Sequence, residues 1–155
     1  MTQALVGIVY GSPSDKDKMG HAAATLERLD VPFEMDSMSA HRSPERVRGY
    51  AATAAERGIR VIIAGAGRAA HLAGVVAAHT PLPVIGVPLS GGVMDGMDAL
   101  LSTVQMPSGV PVATVGIDAA ANAGVLAAQI LATADDDLRK RLEEFKGQLA
   151  EGLRL

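Results

Sequence analysis

The chain alternates short apolar runs with longer amphipathic ones from one end to the other. Ala4–Tyr10 (ALVGIVY) is a continuous apolar run stopped by Gly11, the pattern of a parallel strand buried on both faces. Asp15–Leu29 follows, with Met19, Ala22, Ala23, Leu26 and Leu29 near helical spacing. Val31–Met38 is a weaker strand, polar in its second half. Pro44 suits the first turn of the next helix, where its missing N–H costs nothing; that helix runs to about Arg57 and Gly58 ends it. Arg60–Ala64 (RVIIA) is the clearest central strand, Ala69–His79 a helix of small residues and Pro83–Val87 (PVIGV) a fourth strand. Met97–Val104 predicts a short helix, Val110–Ile117 a fifth strand and Ala119–Thr133 an Ala-rich helix of high intrinsic propensity. The last segment repeats Leu138, Leu142, Phe145, Leu149 and Leu153 on a charged background, an apolar stripe on a C-terminal helix over 135–155.

Five strands alternating with helices predict an α/β fold: a three-layer, doubly wound parallel sheet in one domain over residues 1–155. Right-handed crossovers leave few topologies, and the flavodoxin-like order is a common five-strand solution. Ligands of such sheets bind outside the carboxyl ends of the strands. That rule directs attention to the loops after the first, second and third strands.

Composition narrows the picture. At 155 residues the chain fits one domain, and 48% apolar with 20% charged residues excludes disorder. Aromatics are only 3% while glycines number 17, so the core is built from Ala, Val, Leu and Ile. The absence of cysteine excludes disulfides, thiolate metal sites and cysteine nucleophiles. A net charge of −3 argues against general nucleic-acid binding but leaves room for a local anion site. The opening MTQALVGIVYGS lacks a basic segment before its apolar run, and no stretch approaches the roughly 20 apolar residues of a membrane span. A soluble cytoplasmic protein with no membrane partner is expected.

Each of the three loops carries a polar set. In Gly11-Ser12-Pro13-Ser14-Asp15, glycine permits a tight turn and two hydroxyls stand beside the N–H groups of an incoming helix, an arrangement that attracts anions. Asp15 either accepts from ribose hydroxyls or simply caps the helix. The loop has neither the Gly-x-Gly-x-x-Gly nor the Gly-Lys-Ser/Thr pattern, which lowers the odds of a dinucleotide or ATP site. In Ser39-Ala40-His41-Arg42-Ser43-Pro44, Arg42 can fork onto a phosphate and His41 can move a proton near neutral pH; the plainer alternative is a histidine that only makes a loop hydrogen bond. In Ala64–Leu72 (AGAGRAAHL), two glycines let the backbone approach a ligand, and His71 in the early turns of the helix either reaches the site or makes a structural hydrogen bond.

Other polar residues carry less. His21 and His79 read as solvated or structural, and four separated histidines without a paired helical spacing give no metal site. The serines lack a Gly-x-Ser-x-Gly elbow, which disfavours covalent serine catalysis. Asp135-Asp136-Asp137 reads as a solvated helix start.

At GSPSD (11–15), SAHRSP (39–44) and AGAGRAAHL (64–72), the chain closely resembles the PurE family of purine biosynthesis. PLPVIGVP (81–88), DALLSTVQMPSGVPVATV (98–115) and AANAGVLAAQILA (120–132) extend the resemblance over nearly the whole length. The family's class I members are mutases that move a carboxylate from the exocyclic nitrogen to the ring carbon of an aminoimidazole ribonucleotide; class II members carboxylate the ribonucleotide directly with carbon dioxide. SAHR with Arg42, GAG before Arg68 and His71 in AAHL resemble class I, while Arg68 and Ala73 stand where that class carries Gly and Pro. The resemblance implies that Ser12, Ser14, Ser39 and Arg42 hold the phosphate and neighbouring polar groups. It implies that Asp15 binds the ribose hydroxyls and that His41 is the acid/base. It implies that Ala66, Gly67, His71 and Leu72 line the base and carboxylate end and that Ala40 belongs to the substrate site. It also implies a homo-octamer with no ATP, metal or organic cofactor. A non-catalytic nucleotide-phosphate binding module of the same fold stands as the alternative from another class.

Overall fold

The computed structural model describes residues 3–155. Five strands run through its middle: β1 (Val6–Tyr10), β2 (Phe33–Ser37), β3 (Val61–Gly67), β4 (Val84–Leu89) and β5 (Ala113–Thr114). All pair in parallel in the order β2-β1-β3-β4-β5, the flavodoxin-like arrangement. Six α-helices connect and cover them: α1 (Lys16–Arg28), α2 (Pro44–Thr53), α3 (Leu72–Ala78), α4 (Met97–Val104), α5 (Ala120–Ala132) and α6 (Asp136–Ala150).

Successive strand residues point to opposite faces, so each face of the sheet has its own apolar cluster. Ile8, Ile63, Ile85 and Leu89 pack with Met19 and Leu26 of α1, Ala123 and Ala127 of α5, and Leu138 of α6. Val9, Ile62 and Ala64 pack on the other side with Val47 and Ala51 of α2 and Leu72 and Val76 of α3. This is the three-layer architecture that the apolar runs predict.

The departures have local causes. β3 runs three residues past the expected Arg60–Ala64, because Gly65, Ala66 and Gly67 pair with Val87, Pro88 and Leu89. Strand propensity would not place glycines there, but a side chain at Gly65 would collide with Met19 of α1. β5 shrinks from Val110–Ile117 to two residues, since it is an edge strand whose Pro111 donates no ladder hydrogen bond. α3 begins at Leu72 instead of Ala69, because Arg68 and Ala70 adopt left-handed backbone angles (φ 56° and 37°) that no helix accepts.

The apolar stripe of α6 packs on the core of its own chain. Leu138, Leu142 and Phe145 are buried against this chain's own core, and Arg141 Nε donates to the Leu29 carbonyl at 2.9 Å. The helix opens as expected, with the Asp135 carboxylate accepting from the Leu138 N–H at 2.9 Å.

Candidate functional site

Because all the strands are parallel, their carboxyl ends reach one rim together. Sheet bonding continues one step beyond β1, from Gly11 N–H to Gly65 O (3.1 Å) and from Met38 N–H to Tyr10 O (2.9 Å). The loops therefore leave the sheet side by side. Between them lies a cavity of about 650 Å³, within the range that holds a small organic ligand. Ser12, Ser14 and Asp15 line it from the first loop, and Ser39, Ala40, His41 and Arg42 from the second. Ala66, Gly67, His71 and Leu72 line it from the third, so every residue that the resemblance assigns to the site borders the same space.

The first loop is a short 3-10 turn over Pro13–Asp15. Ser12 is extended (φ −147°), its Oγ accepting from Ser14 N–H at 3.4 Å and lying 2.9 Å from Ser14 Oγ. Asp15 precedes α1, yet its carboxylate makes no capping hydrogen bond, which sets the plain N-cap alternative aside. Burial pushes its carboxyl above the ordinary 3.8, partly offset by the Lys18 ammonium and the Ser12 backbone.

Ser39 and Ser43 brace the second loop. Ser43 Oγ accepts from Ser39 N–H (3.2 Å) and donates to Ser39 O (3.0 Å), while Ser39 Oγ accepts from Arg42 N–H (3.2 Å). The brace leaves His41 and Arg42 projecting and exposed. Arg42 Nη2 donates to the Gly11 carbonyl at 3.1 Å and so ties the second loop to the first.

The third loop presents His71 just ahead of α3, where its ring is free to meet another loop. His41 Nε2 and His71 Nδ1 lie 2.6 Å apart, with ring centroids at 4.8 Å and planes at 77°. That contact needs one hydrogen between the two nitrogens, so the tautomer of one ring fixes that of the other. The cavity wall is also cationic. Arg42 and Arg68 both line it, and among the described residues neither has a carboxylate within ion-pairing distance. Guanidinium groups without a carboxylate partner, with serine hydroxyls in the neighbouring loops, suit an anionic ligand.

A fourth wall escaped the sequence reading. Ser90, Gly91 and Gly92, following β4, also line the cavity. The string LSGG at 89–92 carries the glycine doublet that could have marked it, at the carboxyl end of a strand like the others. His21 and His79 are exposed and do not line the cavity. Among the described residues, no group of three His, Asp or Glu could hold a metal ion, and no helix is long and apolar enough to cross a membrane.

A family model described as AIR carboxylase matches residues 5–152. The chain is 58% identical over 146 residues to the N5-carboxyaminoimidazole ribonucleotide mutase of Mycobacterium tuberculosis (strain ATCC 25618 / H37Rv), covering 94% of this chain and 84% of that protein. It is 57% identical over 147 residues to the phosphoribosylaminoimidazole carboxylase of Schizosaccharomyces pombe, covering 95% of this chain but only 27% of that longer protein. The crystal structure of Treponema denticola PurE superposes with a TM-score of 0.85 at 27% identity, covering 96% of this chain and 92% of that one.

Proposed function

The chain belongs to the AIR carboxylase family, and from that premise we propose that it is an N5-carboxyaminoimidazole ribonucleotide mutase. The observation that carries the reading is the His41–His71 contact at 2.6 Å, in a cavity that Arg42 and the loop serines make receptive to an anion. Ser12, Ser14, Ser39 and Arg42 bind the phosphate side of the ribonucleotide, and Asp15 accepts from the ribose hydroxyls. His41 faces the reacting atoms, with Ala40, Ala66, Gly67, His71 and Leu72 around the base and the carboxylate.

The reaction needs one proton given and a second one taken. His41 gives a proton to the exocyclic nitrogen, the N–C bond to the carboxylate breaks, and carbon dioxide and the neutral aminoimidazole remain in the cavity. The electron-rich ring carbon then attacks the carbon dioxide. The imidazole removes the ring proton, which restores aromaticity and returns His41 to its starting form. Atoms and charge balance without an external reductant, nucleotide triphosphate or metal. Holding water out and carbon dioxide in is the remaining demand on the site.

One protomer alone leaves His41 and Arg42 exposed, and assembly supplies the missing cover. The chain folds as one domain over residues 1–155 and works in the cytoplasm as a homo-octamer, in which a neighbouring copy closes the cavity. Val93, Met94, Met97, Leu101 and Val104, all exposed and next to the Gly91–Gly92 wall, support such association.

The test uses substrate labelled with ¹³C in the N-carboxylate, with excess unlabelled bicarbonate present. A mutase keeps the label in the product carboxylate. Turnover that needs aminoimidazole ribonucleotide plus free carbon dioxide, with the label lost, overturns the mutase in favour of direct carboxylation. Tight binding of the product ribonucleotide without turnover of either substrate overturns both in favour of a binding module.

A further inference from the structure

Lys18 sits in the first turn of α1, where the helix dipole disfavours a cation. Its ammonium reaches across the rim to the segment after β4, donating to Ser90 Oγ at 2.6 Å and to Ser90 O at 3.1 Å. Asp118, which follows β5, holds the same serine from the other side. One carboxylate oxygen accepts from Ser90 N–H at 2.8 Å, and the second accepts from the Ser90 hydroxyl. Lys18 and Asp118 are themselves 3.3 Å apart. The N–H, hydroxyl and carbonyl of Ser90 are thus all engaged by two side chains that lie outside the cavity lining.

Two features argue that this cluster acts on the cavity and is more than surface decoration. Asp118 is held in the left-handed region at φ 57°, uncommon for a residue with a side chain, while its carboxylate accepts from Ser90. The two residues after Ser90 are glycines, Gly91 and Gly92, at φ 116° and 73°, a permissive backbone that forms part of the cavity wall. A glycine doublet has no conformation of its own choosing, so its position is set by what anchors its ends. Asp95 Oδ1 accepts from Gly91 N–H at 3.1 Å on one side, and the Lys18–Asp118 pair fixes Ser90 on the other.

Resting on the reading of this cavity as the ribonucleotide site, we propose that Lys18 and Asp118 are positioning residues that latch Ser90 and hold the Gly91–Gly92 wall against the bound ligand. Lys18 also bears on the first loop, since its charge acts on Asp15. The latch therefore couples the walls built after β1 and after β4, and it adds to ligand affinity by sparing the ligand the ordering of a mobile segment.

The test compares the parent protein with Lys18→Met, Asp118→Gly and the double variant. Lys18→Met keeps the aliphatic stem without the charge, and Asp118→Gly removes the carboxylate while relieving the left-handed backbone, so neither threatens the fold. The latch predicts at least fivefold faster amide exchange across residues 90–96 in both single variants, without ligand, and melting temperatures within a few degrees of the parent. It predicts KM for the N-carboxylated ribonucleotide raised about 5- to 20-fold with kcat within twofold. The double variant should be no worse than the more affected single one, because both substitutions open the same latch. Lys18→Arg should restore at least half of the loss. Unchanged exchange at 90–96 in both single variants overturns the latch, as does a KM effect that the two substitutions add independently. Exchange is read on the free protein, so a parent chain inactive toward the ribonucleotide condemns the mutase reading while the latch is still decided.

Discussion

At the amino ends of the strands Arg57 pairs with Glu34 at 2.7 Å and lies 4.7 Å over the Tyr50 ring, whereas at the carboxyl ends Arg42 and Arg68 face a cavity with no carboxylate in ion-pairing reach among the described residues. Both regions gather charge at the edge of the same sheet. In the first, each group is answered from within the chain: Glu34 answers Arg57, and Gln3 Nε2 donates to the Arg57 carbonyl at 2.6 Å. In the second, the hydrogen bonds run within and between loops, and they shape the backbone while leaving the guanidinium groups and imidazoles turned to the opening. A cluster that satisfies itself stabilises a fold. A cluster braced by its backbone with unanswered charges is prepared for a ligand that supplies the counter-charge. Substitutions at the two ends should therefore fall in different observables, stability at one and turnover or affinity at the other.

His41→Asn tests the carboxyl end most severely. Loss of the imidazole that gives one proton and takes another should lower kcat about 10³-fold, within the span that general acid–base groups contribute. Product affinity, measured by calorimetry, should change by no more than a few-fold. A variant that still turns over at the parent rate removes His41 from the chemistry and the contrast with it.

Arg42→Met should raise KM about 10- to 100-fold with kcat within a few-fold, since a charged hydrogen bond to an anion is worth about 1.5–3 kcal/mol. The salt dependence of KM should flatten in the same variant, because the screened charge is gone. The matched substitution at the other end, Arg57→Met, should leave KM untouched and lower stability by about 1 kcal/mol, the scale of a half-exposed pair with a cation–π contact. Equal effects of the two on KM would erase the distinction between them.

How far the sequence alone reveals this division depends on whether a feature is local. The first three loops are legible because each follows an apolar run, breaks it with Gly or a polar pair, and opens a helix, all within a few residues. Asp15, His41 and Arg42 stand out for the same reason. The fourth wall is hidden because Ser90 and its glycines read as an ordinary turn. The residues that fix it lie 72 and 28 positions away in the chain, Lys18 among the polar positions of a helix and Asp118 after an edge strand. Gly65 and Gly67 show the same limit within the fold. Both are strand residues because they pair with β4, and Met19 of α1 leaves no room for a side chain at Gly65, which no propensity expresses. The stripe on α6 shows the converse: its period gives the helix but not the partner, which turns out to be the chain itself.

Asp15→Asn separates stability from function at one residue. Burial raises the folded carboxyl above its ordinary value, so its favourable contribution is fully present below the unfolded value and is lost as pH rises through the folded one. At pH 7 the ionised group is a net cost to the free protein. The variant should melt about 1–3 °C higher than the parent at pH 7, and the gap should close below pH 4. KM should still rise several-fold, because an amide accepts more weakly from the ribose hydroxyls. A lower melting temperature at pH 7 would mean that the carboxylate serves the fold and belongs with the amino-end cluster.

Tyr50→Phe carries the smallest change and probes an imperfection of the amino end. Among the described residues the buried Tyr50 hydroxyl has no hydrogen-bond partner, although Glu34 and Arg57 lie near enough to act on it electrostatically. Burial first, and Glu34 second, hold the phenol neutral well above its ordinary 10.0. Removing an unsatisfied hydroxyl takes away a desolvation cost and leaves the Arg57–Glu34 pair in place, so stability should stay level or rise by up to about 1 kcal/mol. The sign of the shift adds a second readout. The unfolded parent gains charge as pH passes 10.0 while the folded protein stays neutral, so the parent loses stability there and the phenylalanine variant does not. Melting curves of the two should therefore draw apart above pH 10, with kcat and KM the same at every pH where both are folded.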